Sequence, residues 1–531
     1  MKIKRQLQSS CVHFYEKRRL ALASIYITLF FMAEDEDILY DIAVVGGGIN
    51  GAGIARDAAG HGLRTILIES KDLASGTSSA STKLIHGGLR YLESYEFGLV
   101  RKALKEREIL LEMAPHIIWP LNFILPHHEK LRPRWLIRAG LWLYDHLAQR
   151  KHLPKSKAIN FCQPSAYGVP LRDLYKKGFS YTDCWVEDSR LVILNALDAA
   201  ERGAHIKTYE PCEALHVDEH GHWHIKTSKA TYQARKLVNA TGPWISRFMR
   251  ETSLTEKLDQ KHDIRLVKGS HILVPRLYEG EHCYTFQLND NRVVFAIPYE
   301  NDYTLIGTTE RDYNGDLYDV RIQDDEIAYL CDAVSAFFKK SIKPSDVQWT
   351  YSGVRPLLDN TQGEKKNSSA VTRDYRIVRQ EIRGAPVVNI YGGKITTYRV
   401  LAEAVMEKLG YKFSWTYKSP LPGGDISNAD FKEFFKNLGV KYDWMDKDAL
   451  YRLARAYGTR IHKLIGNACS MKDMGHDFGG GLTSAEIDYL TDHEWARSAE
   501  DILFRRTKLG LHIPENAILP IDEYIMERIR R

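Results

Sequence analysis

Between Asp41 and Ile68 the chain alternates short apolar runs with small-residue segments. Ile42-Ala43-Val44-Val45 is an apolar run of buried-strand type and leads straight into Gly46-Gly47-Gly48-Ile49-Asn50-Gly51-Ala52-Gly53. Small residues recur at Ala52, Ala55, Ala58 and Ala59, suiting a helix packed closely on a sheet, and Gly60-His61-Gly62 ends that helix. Thr65-Ile66-Leu67-Ile68 reads as a second strand with Glu69 at its carboxyl end. Leu237-Val238-Asn239-Ala240-Thr241-Gly242 reads as a later strand ended by a glycine turn. Between Asp263 and Gly307, alternating apolar runs at His271-Ile272-Leu273-Val274, Arg292-Val293-Val294-Phe295-Ala296-Ile297 and Thr304-Leu305-Ile306-Gly307 are punctuated by Pro275, Asn289-Asp290-Asn291 and Asn301-Asp302, which predicts antiparallel sheet. Beyond Leu421-Pro422-Gly423-Gly424-Asp425, read as a linker, helical periodicity runs through 429–438, 448–457 and 485–506. Thr483 and Glu486 form a capping-box pattern before the last of these, and Ile487, Leu490, Trp495 and Ile502 are expected on one face.

The strand–glycine turn–helix–strand unit is a dinucleotide signature. Gly46 permits the tight turn, Gly48 lets backbone approach a pyrophosphate, and Gly51 lets helix and strand pack closely. The helix N-terminus offers free N–H groups to phosphate. Glu69, 23 residues past Gly46 (69 − 46), is placed to bind an adenosine ribose. This motif alone does not separate FAD from NAD. A second loop, Ser75-Gly76-Thr77-Ser78-Ser79-Ala80-Ser81-Thr82-Lys83, continues into Ile85-His86-Gly87-Gly88-Leu89-Arg90-Tyr91 and suits an extended cofactor lying along the protein.

On these motifs the chain resembles the aerobic, FAD-dependent glycerol-3-phosphate dehydrogenase family. The resemblance continues through Asn239-Ala240-Thr241-Gly242-Pro243-Trp244, Lys268-Gly269-Ser270-His271, Tyr351-Ser352-Gly353-Val354-Arg355-Pro356-Leu357, Thr372-Arg373-Asp374-Tyr375 and Gly392-Gly393-Lys394-Ile395-Thr396-Thr397-Tyr398, and ends at Tyr489-Leu490-Thr491-Asp492-His493-Glu494-Trp495. It implies an α/β fold in which a Rossmann-type FAD-binding domain is interleaved with an antiparallel β-sheet substrate domain, followed by a C-terminal α-helical domain. The expected divisions are an extension over 1–39, the FAD and substrate region over 40–415, and the helical domain over 421–531. The implied FAD ligands are Gly46, Gly48, Asn50, Gly51, Glu69, Ser78, Ser79, Leu84, Gly87, Gly88, Thr241, Gly242, Gly392, Gly393 and Thr396.

The implied reaction is oxidation of sn-glycerol 3-phosphate to dihydroxyacetone phosphate, with electrons passed to a membrane quinone. Such a reaction needs cations for a phosphate dianion, a base or alkoxide-stabilising group at the substrate hydroxyl, and a carbon–hydrogen bond aimed at the flavin. Arg355 and Arg373, lying in the family's motifs, are the expected phosphate ligands, since the guanidinium fork donates two parallel bonds. Arg90, Tyr91, His271 and Lys394 are expected near the reacting carbon. His271 could take the proton, its ordinary pKa of about 6.5 lying near working pH; Lys394 or Arg90 could hold the developing alkoxide. Which of these is the base stays open.

Composition adjusts this picture only slightly. The chain has 531 residues, 44% hydrophobic and 27% charged, which suits about three globular domains. A net charge of +6 fits an anionic substrate or an anionic lipid surface and is too dilute to indicate nucleic acid. The seven cysteines form no CxxC pair, so neither a disulfide framework nor a zinc site is expected. His216, His220, His222 and His224 cluster, but alternate with Leu215, Val217, Trp223 and Ile225 as the outer face of a hairpin, and no metal is expected there.

Arg132-Pro133-Arg134-Trp135-Leu136-Ile137-Arg138 leading into Leu141-Trp142-Leu143-Tyr144 reads either as an interfacial helix on anionic lipid or as a core helix with two tryptophans. With the family's location on the inner face of the cytoplasmic membrane, the resemblance supports the interfacial reading; a homodimer is also among the expected assemblies. The basic start and the apolar run 20–31 imitate a signal peptide but lack a small-x-small cleavage site. Met32 as the true start, a peripheral anchor, or export are the readings it leaves. The rivals to the enzyme as a whole are an oxidase releasing hydrogen peroxide, a flavin amine oxidase, and a non-enzymatic nucleotide-binding flavoprotein.

Overall fold

The computed structural model describes residues 38–530 apart from 130, 164, 253, 255–263, 289, 291 and 359–374. The reading of the N-terminal extension through residue 37, and the expected phosphate ligand Arg373, lie outside the described residues.

The first apolar run is the strand Ile42–Val45, buried at all four positions. It lies inside a six-stranded sheet ordered Arg376–Ile382, Ala385–Tyr391, Leu237–Asn239, Ile42–Val45, Thr65–Ile68, His205–Lys207. Its strands are parallel except for the edge pair. Both faces are covered, and this explains the absence of polar alternation. Ile42, Val44, Leu67 and Val238 face a core shared with the helices Ile49–Gly60, Asp188–Glu201 and Tyr398–Lys408. Ala43, Val45, Ile66, Ile68 and Leu237 face a four-stranded sheet, Leu39–Tyr40, Thr231–Ala234, Trp223–Thr227 and Cys212–Val217. That smaller sheet contains the histidine hairpin. His216 and His224 pair with rings stacked 4.5 Å apart, while Leu215, Val217, Trp223 and Ile225 are buried beneath.

The expected antiparallel platform is larger than the sequence indicated. Ile264–Pro275, Val293–Tyr299 and Tyr303–Gly307 belong to a ten-stranded sheet that also takes in Ile118–His127, Lys177–Val186, Cys283–Gln287 and Trp349–Leu358. Most neighbours are antiparallel; Cys283–Gln287 and Ile118–His127 run parallel. The helix Arg134–His146 lies against it with Leu141 and Tyr144 fully buried. Trp135 and Trp142 are 72% and 57% exposed, so the reading as a core helix with two buried tryptophans does not hold.

Two C-terminal expectations need correction. No single helix spans 485–506. Ser484–Glu494, capped by the Thr483 side chain accepting from the Glu486 amide, stops where Trp495 turns left-handed at φ 56°. The Asp501 carboxylate accepts from the Arg497 and Ser498 amides and starts a separate π-helical turn, Asp501–Arg506. Trp495 therefore leaves the face of Ile487 and Leu490 and packs on the core beneath the cofactor helix. The segment read as a linker is also buried from Leu421 through Gly424. A Cβ on Gly423 would sit 2.2 Å from the Tyr457 carbonyl oxygen, so this connection is a packed seam.

The C-terminal helices dock on the cofactor-binding part through buried charge. Arg505 Nε donates to Asp72 at 2.6 Å and Arg506 Nη2 donates to the same carboxylate at 2.8 Å. Arg190 pairs with Glu494 across the same boundary.

Candidate active site

The glycine turn has the geometry its spacing predicts. Gly46 has φ 114°, and a Cβ there would lie 2.5 Å from the Ala240 carbonyl oxygen. A Cβ on Gly51 would lie 1.8 Å from the Gly46 oxygen, so helix and turn touch backbone to backbone. Gly48 is the N-cap of Ile49–Gly60 and supplies no side-chain cap, which keeps the helix mouth available to an anion.

The second loop closes over this mouth. Ser78 Oγ accepts from the Ile49 amide at 3.0 Å, Ser79 Oγ donates to the Gly76 carbonyl at 3.3 Å, and Thr77 Oγ1 donates to the Val354 carbonyl at 2.6 Å. Glu69 accepts from the Gly47 amide at 2.6 Å through Oε2, and from Ser70 Oγ and the Lys71 amide through Oε1. These bonds fix the carboxylate, and Oε2 retains a lone pair for a ribose hydroxyl. Asn50 Nδ2 donates to the Gly392 carbonyl at 3.1 Å, whereas its buried Oδ1 has no partner among the described residues. Gly392 and Gly393 have φ 76° and 114°, and a Cβ on Gly393 would meet Asn50 Nδ2 at 2.7 Å. Thr241 donates to Asn239 Oδ1 at 2.7 Å, and Gly242 follows with φ 57°.

Beyond the cradle, Leu84 is buried in the short strand Leu84–Ile85, and the chain turns through His86, Gly87 and Gly88. The His86 amide donates to Thr396 Oγ1 at 3.3 Å. The Gly87 amide donates to the Tyr144 hydroxyl at 2.8 Å, and that hydroxyl donates to Asp183, which pairs with Arg107 at 2.5 Å. This network was not legible in the sequence, since Arg107, Tyr144 and Asp183 come from three separated segments. Gly88 is left-handed at φ 76° and introduces the 3-10 turn Leu89–Leu92. There Lys394 Nζ lies 4.0 Å from the Tyr91 ring centroid. The side chain of Arg90, next in sequence, makes no ion pair or hydrogen bond to any described residue, while its carbonyl accepts from the Glu93 amide at 3.1 Å.

His271 and Arg355 form a second group. Pairing of Ile264–Pro275 with Trp349–Leu358 sets His271 opposite Tyr351, Gly269 opposite Gly353 and Val267 opposite Arg355. With a side-chain period of two, these residues share a face. The paired glycines leave room on it. A Cβ on Gly353 would meet Ala80 at 2.9 Å, and one on Gly269 would meet Thr308 Oγ1 at 2.8 Å. His271 is 2% exposed, stacks on Tyr351 at 4.7 Å and shares a 2.9 Å hydrogen bond between Nε2 and Thr82 Oγ1. Its Nδ1 has no partner among the described residues.

Burial, then the Lys83 and Arg355 cations, push the His271 imidazole down to about 3. The ordinary value near 6.5 therefore does not apply, and the ring is neutral at working pH. Beneath it Lys83, left-handed at φ 59°, forms a 2.7 Å ion pair with Asp188, both wholly buried. Asp188 also accepts from the Ser81 amide and hydroxyl at 3.2 and 2.8 Å. Lys508 reaches the same region from the C-terminal part, donating to Ser189 Oγ at 3.1 Å; burial, then the charge of Lys83, lowers its pKa to about 8. Thr82 and Lys83 stand inside a motif visible in the sequence, but nothing local marks Asp188 as the partner of Lys83 or Lys508 as a second cation beside it.

A family model described as FAD dependent oxidoreductase matches residues 41–396, and one described as the C-terminal domain of alpha-glycerophosphate oxidase matches 414–525. The chain is 48% identical to a glycerol-3-phosphate dehydrogenase of Pseudomonas aeruginosa, over 92% of this chain and 95% of that one. The chain belongs to the FAD-dependent glycerol-3-phosphate dehydrogenase family. It is also 48% identical to a D-erythritol 1-phosphate dehydrogenase of Brucella abortus, over 91% of this chain and 97% of that one. Among solved structures it superposes with TM-score 0.70 and 26% identity on the FAD complex of a glycerol-3-phosphate dehydrogenase from Bacillus halodurans, covering 93% of this chain and 90% of that chain.

FAD is the cofactor. The residues present fit it: the helix mouth at Gly48, where Ser78 occupies the Ile49 amide, would take a diphosphate, Glu69 a ribose, and the orphaned Asn50 Oδ1 a donor. Among the described residues no helix is long and apolar enough to cross a membrane.

Proposed function

We propose that this enzyme oxidises sn-glycerol 3-phosphate at its secondary carbon to dihydroxyacetone phosphate and delivers the electrons to a membrane quinone. The observation that carries the substrate class is the Arg90 guanidinium, held on a tight turn beside Lys394 with no carboxylate paired to it among the described residues. Cations kept without an internal counter-ion are suited to an anionic ligand. Arg355 and Arg373 are the proposed phosphate clamp. Bound FAD supplies a hydride acceptor, and Gly87, Gly88, Thr396 and the glycine pair 392–393 hold it.

His271 is the proposed proton acceptor for the substrate hydroxyl. With Nε2–H donating to Thr82, Nδ1 carries the free lone pair. A base with a pKa near 3 is weak toward an alcohol; a phosphate dianion bound beside Arg355 offsets the cations, which add to the larger effect of burial, and so raises its basicity. Lys394 and Arg90 hold the negative charge that develops on the hydroxyl oxygen. The face carrying Trp135 and Trp142, with Arg138 between them, supports peripheral docking on an anionic lipid surface at the inner face of the cytoplasmic membrane, where a quinone is available.

A second reading rests on the equal 48% identity to an enzyme named for a four-carbon substrate. Anaerobic stopped-flow flavin absorbance with sn-glycerol 3-phosphate, D-erythritol 1-phosphate and glycerol separates the two. Rapid bleaching by the three-carbon ester alone supports the first reading, and faster bleaching by the four-carbon ester replaces it. Reoxidation by a soluble quinone but not by oxygen distinguishes dehydrogenase from oxidase.

A further inference from the structure

One group of aromatic and cationic side chains has no role in the chemistry above. Tyr318 lies between the strand Arg311–Asp312 and the helix Asp324–Ser335, with 49% of its surface exposed. Its loop is built from within: the Tyr318 amide donates to Asp316 Oδ1 at 3.1 Å, and the Tyr313 hydroxyl to the Asp316 carbonyl at 2.7 Å. The Tyr318 ring is thus presented on a shaped turn. Lys71 Nζ lies 4.6 Å from its centroid, the Arg247 guanidinium 5.3 Å, and the Trp244 ring 5.5 Å at a 41° tilt.

These neighbours come from the walls of the cofactor cradle. Lys71 is two residues past Glu69, and its amide donates to the Glu69 carboxylate at 2.9 Å. Trp244 follows the Thr241-Gly242 turn, and its ring packs so near Gly76 that a Cβ there would lie 3.0 Å away. The Trp244 indole Nε1 is buried and has no hydrogen-bond partner among the described residues. A buried donor without an acceptor is costly, and this one borders the segment that sends Ser78 to the helix mouth. In a dinucleotide fold the adenosine passes beyond the ribose-binding acid, away from the reacting ring.

We infer that Tyr318, Lys71 and Trp244 form a clamp for the adenosine end of FAD, with the Tyr318 ring against the adenine face and Trp244 Nε1 donating to a cofactor oxygen. Adenine offers a flat π surface, and loss of one base–aromatic stack typically weakens binding by about five- to a hundredfold. The clamp selects a dinucleotide over a mononucleotide and touches no reacting atom.

The test uses the full-length holoenzyme, diluted to nanomolar concentration, with FAD release followed by recovery of flavin fluorescence. Tyr318→Ala is expected to release FAD about tenfold faster and Tyr318→Phe at the wild-type rate. Trp244→Phe, which keeps the ring but loses the donor, is expected to accelerate release several-fold. ADP titrated into the apoprotein should bind Tyr318→Ala about tenfold more weakly, while FMN binds both proteins alike. Wild-type release from Tyr318→Ala, or unchanged ADP affinity, overturns the clamp. Equal weakening of ADP and FMN also overturns it, because that pattern reports general loosening of the fold. Unfolding curves of the apoproteins separate a folding defect from a binding defect.

Discussion

Replacing Asp188 by Asn tests whether the buried ion pair beneath His271 sets the geometry of the active site. Asp188 is fully buried and its partner Lys83 2% exposed, with nitrogen and oxygen 2.7 Å apart. Burial alone raises the Asp188 carboxyl, but Lys83 and then Lys508 outweigh it and hold the group below its ordinary value. Removing the carboxylate takes the hydrogen-bonded counter-ion from buried Lys83 and leaves Glu187 as the carboxylate acting on both Lys83 and Lys508. Breaking a buried pair from one side costs about 3–5 kcal/mol, a large share of the 5–15 kcal/mol by which a typical domain is stable.

The same carboxylate holds the Ser81 amide and hydroxyl, and Ser81 precedes Thr82, whose hydroxyl orients His271. Asp188→Asn should therefore lower the denaturation midpoint and slow anaerobic flavin reduction. The double variant Lys83→Met/Asp188→Asn should recover part of the stability, because the hydrogen-bonded Lys83 ammonium is removed with its partner while buried Lys508 remains, and flavin reduction stays slow. Denaturant unfolding and stopped-flow absorbance measure the two effects. A loss below about 1 kcal/mol in the single variant, or a double variant with wild-type reduction, refutes the reasoning.

Acid should destabilise the fold through three histidines kept neutral. Burial depresses His271 to about 3, His282 to about 4, and His116 well below its ordinary value. Below about pH 6.5 the unfolded chain protonates them and the folded chain does not. Stability is full above that pH and falls by about 1.4 kcal/mol per unit per histidine until the folded pKa is reached. Unfolding at pH 7, 6 and 5 checks this; a flat profile contradicts it, and His271→Asn should reduce the slope by about a third. Gly51→Ala should yield colourless protein, since its Cβ would lie 1.8 Å from a backbone oxygen; a purified variant with full flavin content refutes the close-packing argument. Tyr144→Phe deletes the nearer of two acceptors of the Gly87 amide, the other being Asp183, and a donor to Asp183, costing about 1–3 kcal/mol and shifting the flavin absorbance bands. Unaltered bands and stability would show that this network does not position the loop.

The cofactor cradle was legible in the chain because its rules are local. The turn at Gly46, the close approach at Gly51 and the acid at Glu69 all fall within one β–α–β unit, where a spacing of a few residues determines geometry. The histidine hairpin and the Thr483 cap were legible for the same reason. The family motifs singled out His271, Arg90, Lys394 and Arg355, but not the environment that sets their chemistry. His271 is a base of ordinary pKa in the sequence and a neutral ring in the fold, because burial, and then the cations of Lys83 and Arg355 from other segments, disfavour its charged form. The end of the helix at Trp495, the exposure of Trp135 and Trp142, and the link from Tyr144 to Gly87 are likewise tertiary outcomes. Periodicity states which side of a helix is apolar without saying what that side meets. The sequence by itself determined where a dinucleotide can bind, because backbone sterics are short-ranged; only the tertiary structure decided which charges surround the reacting groups, because burial and Coulomb interactions act between segments far apart in the chain.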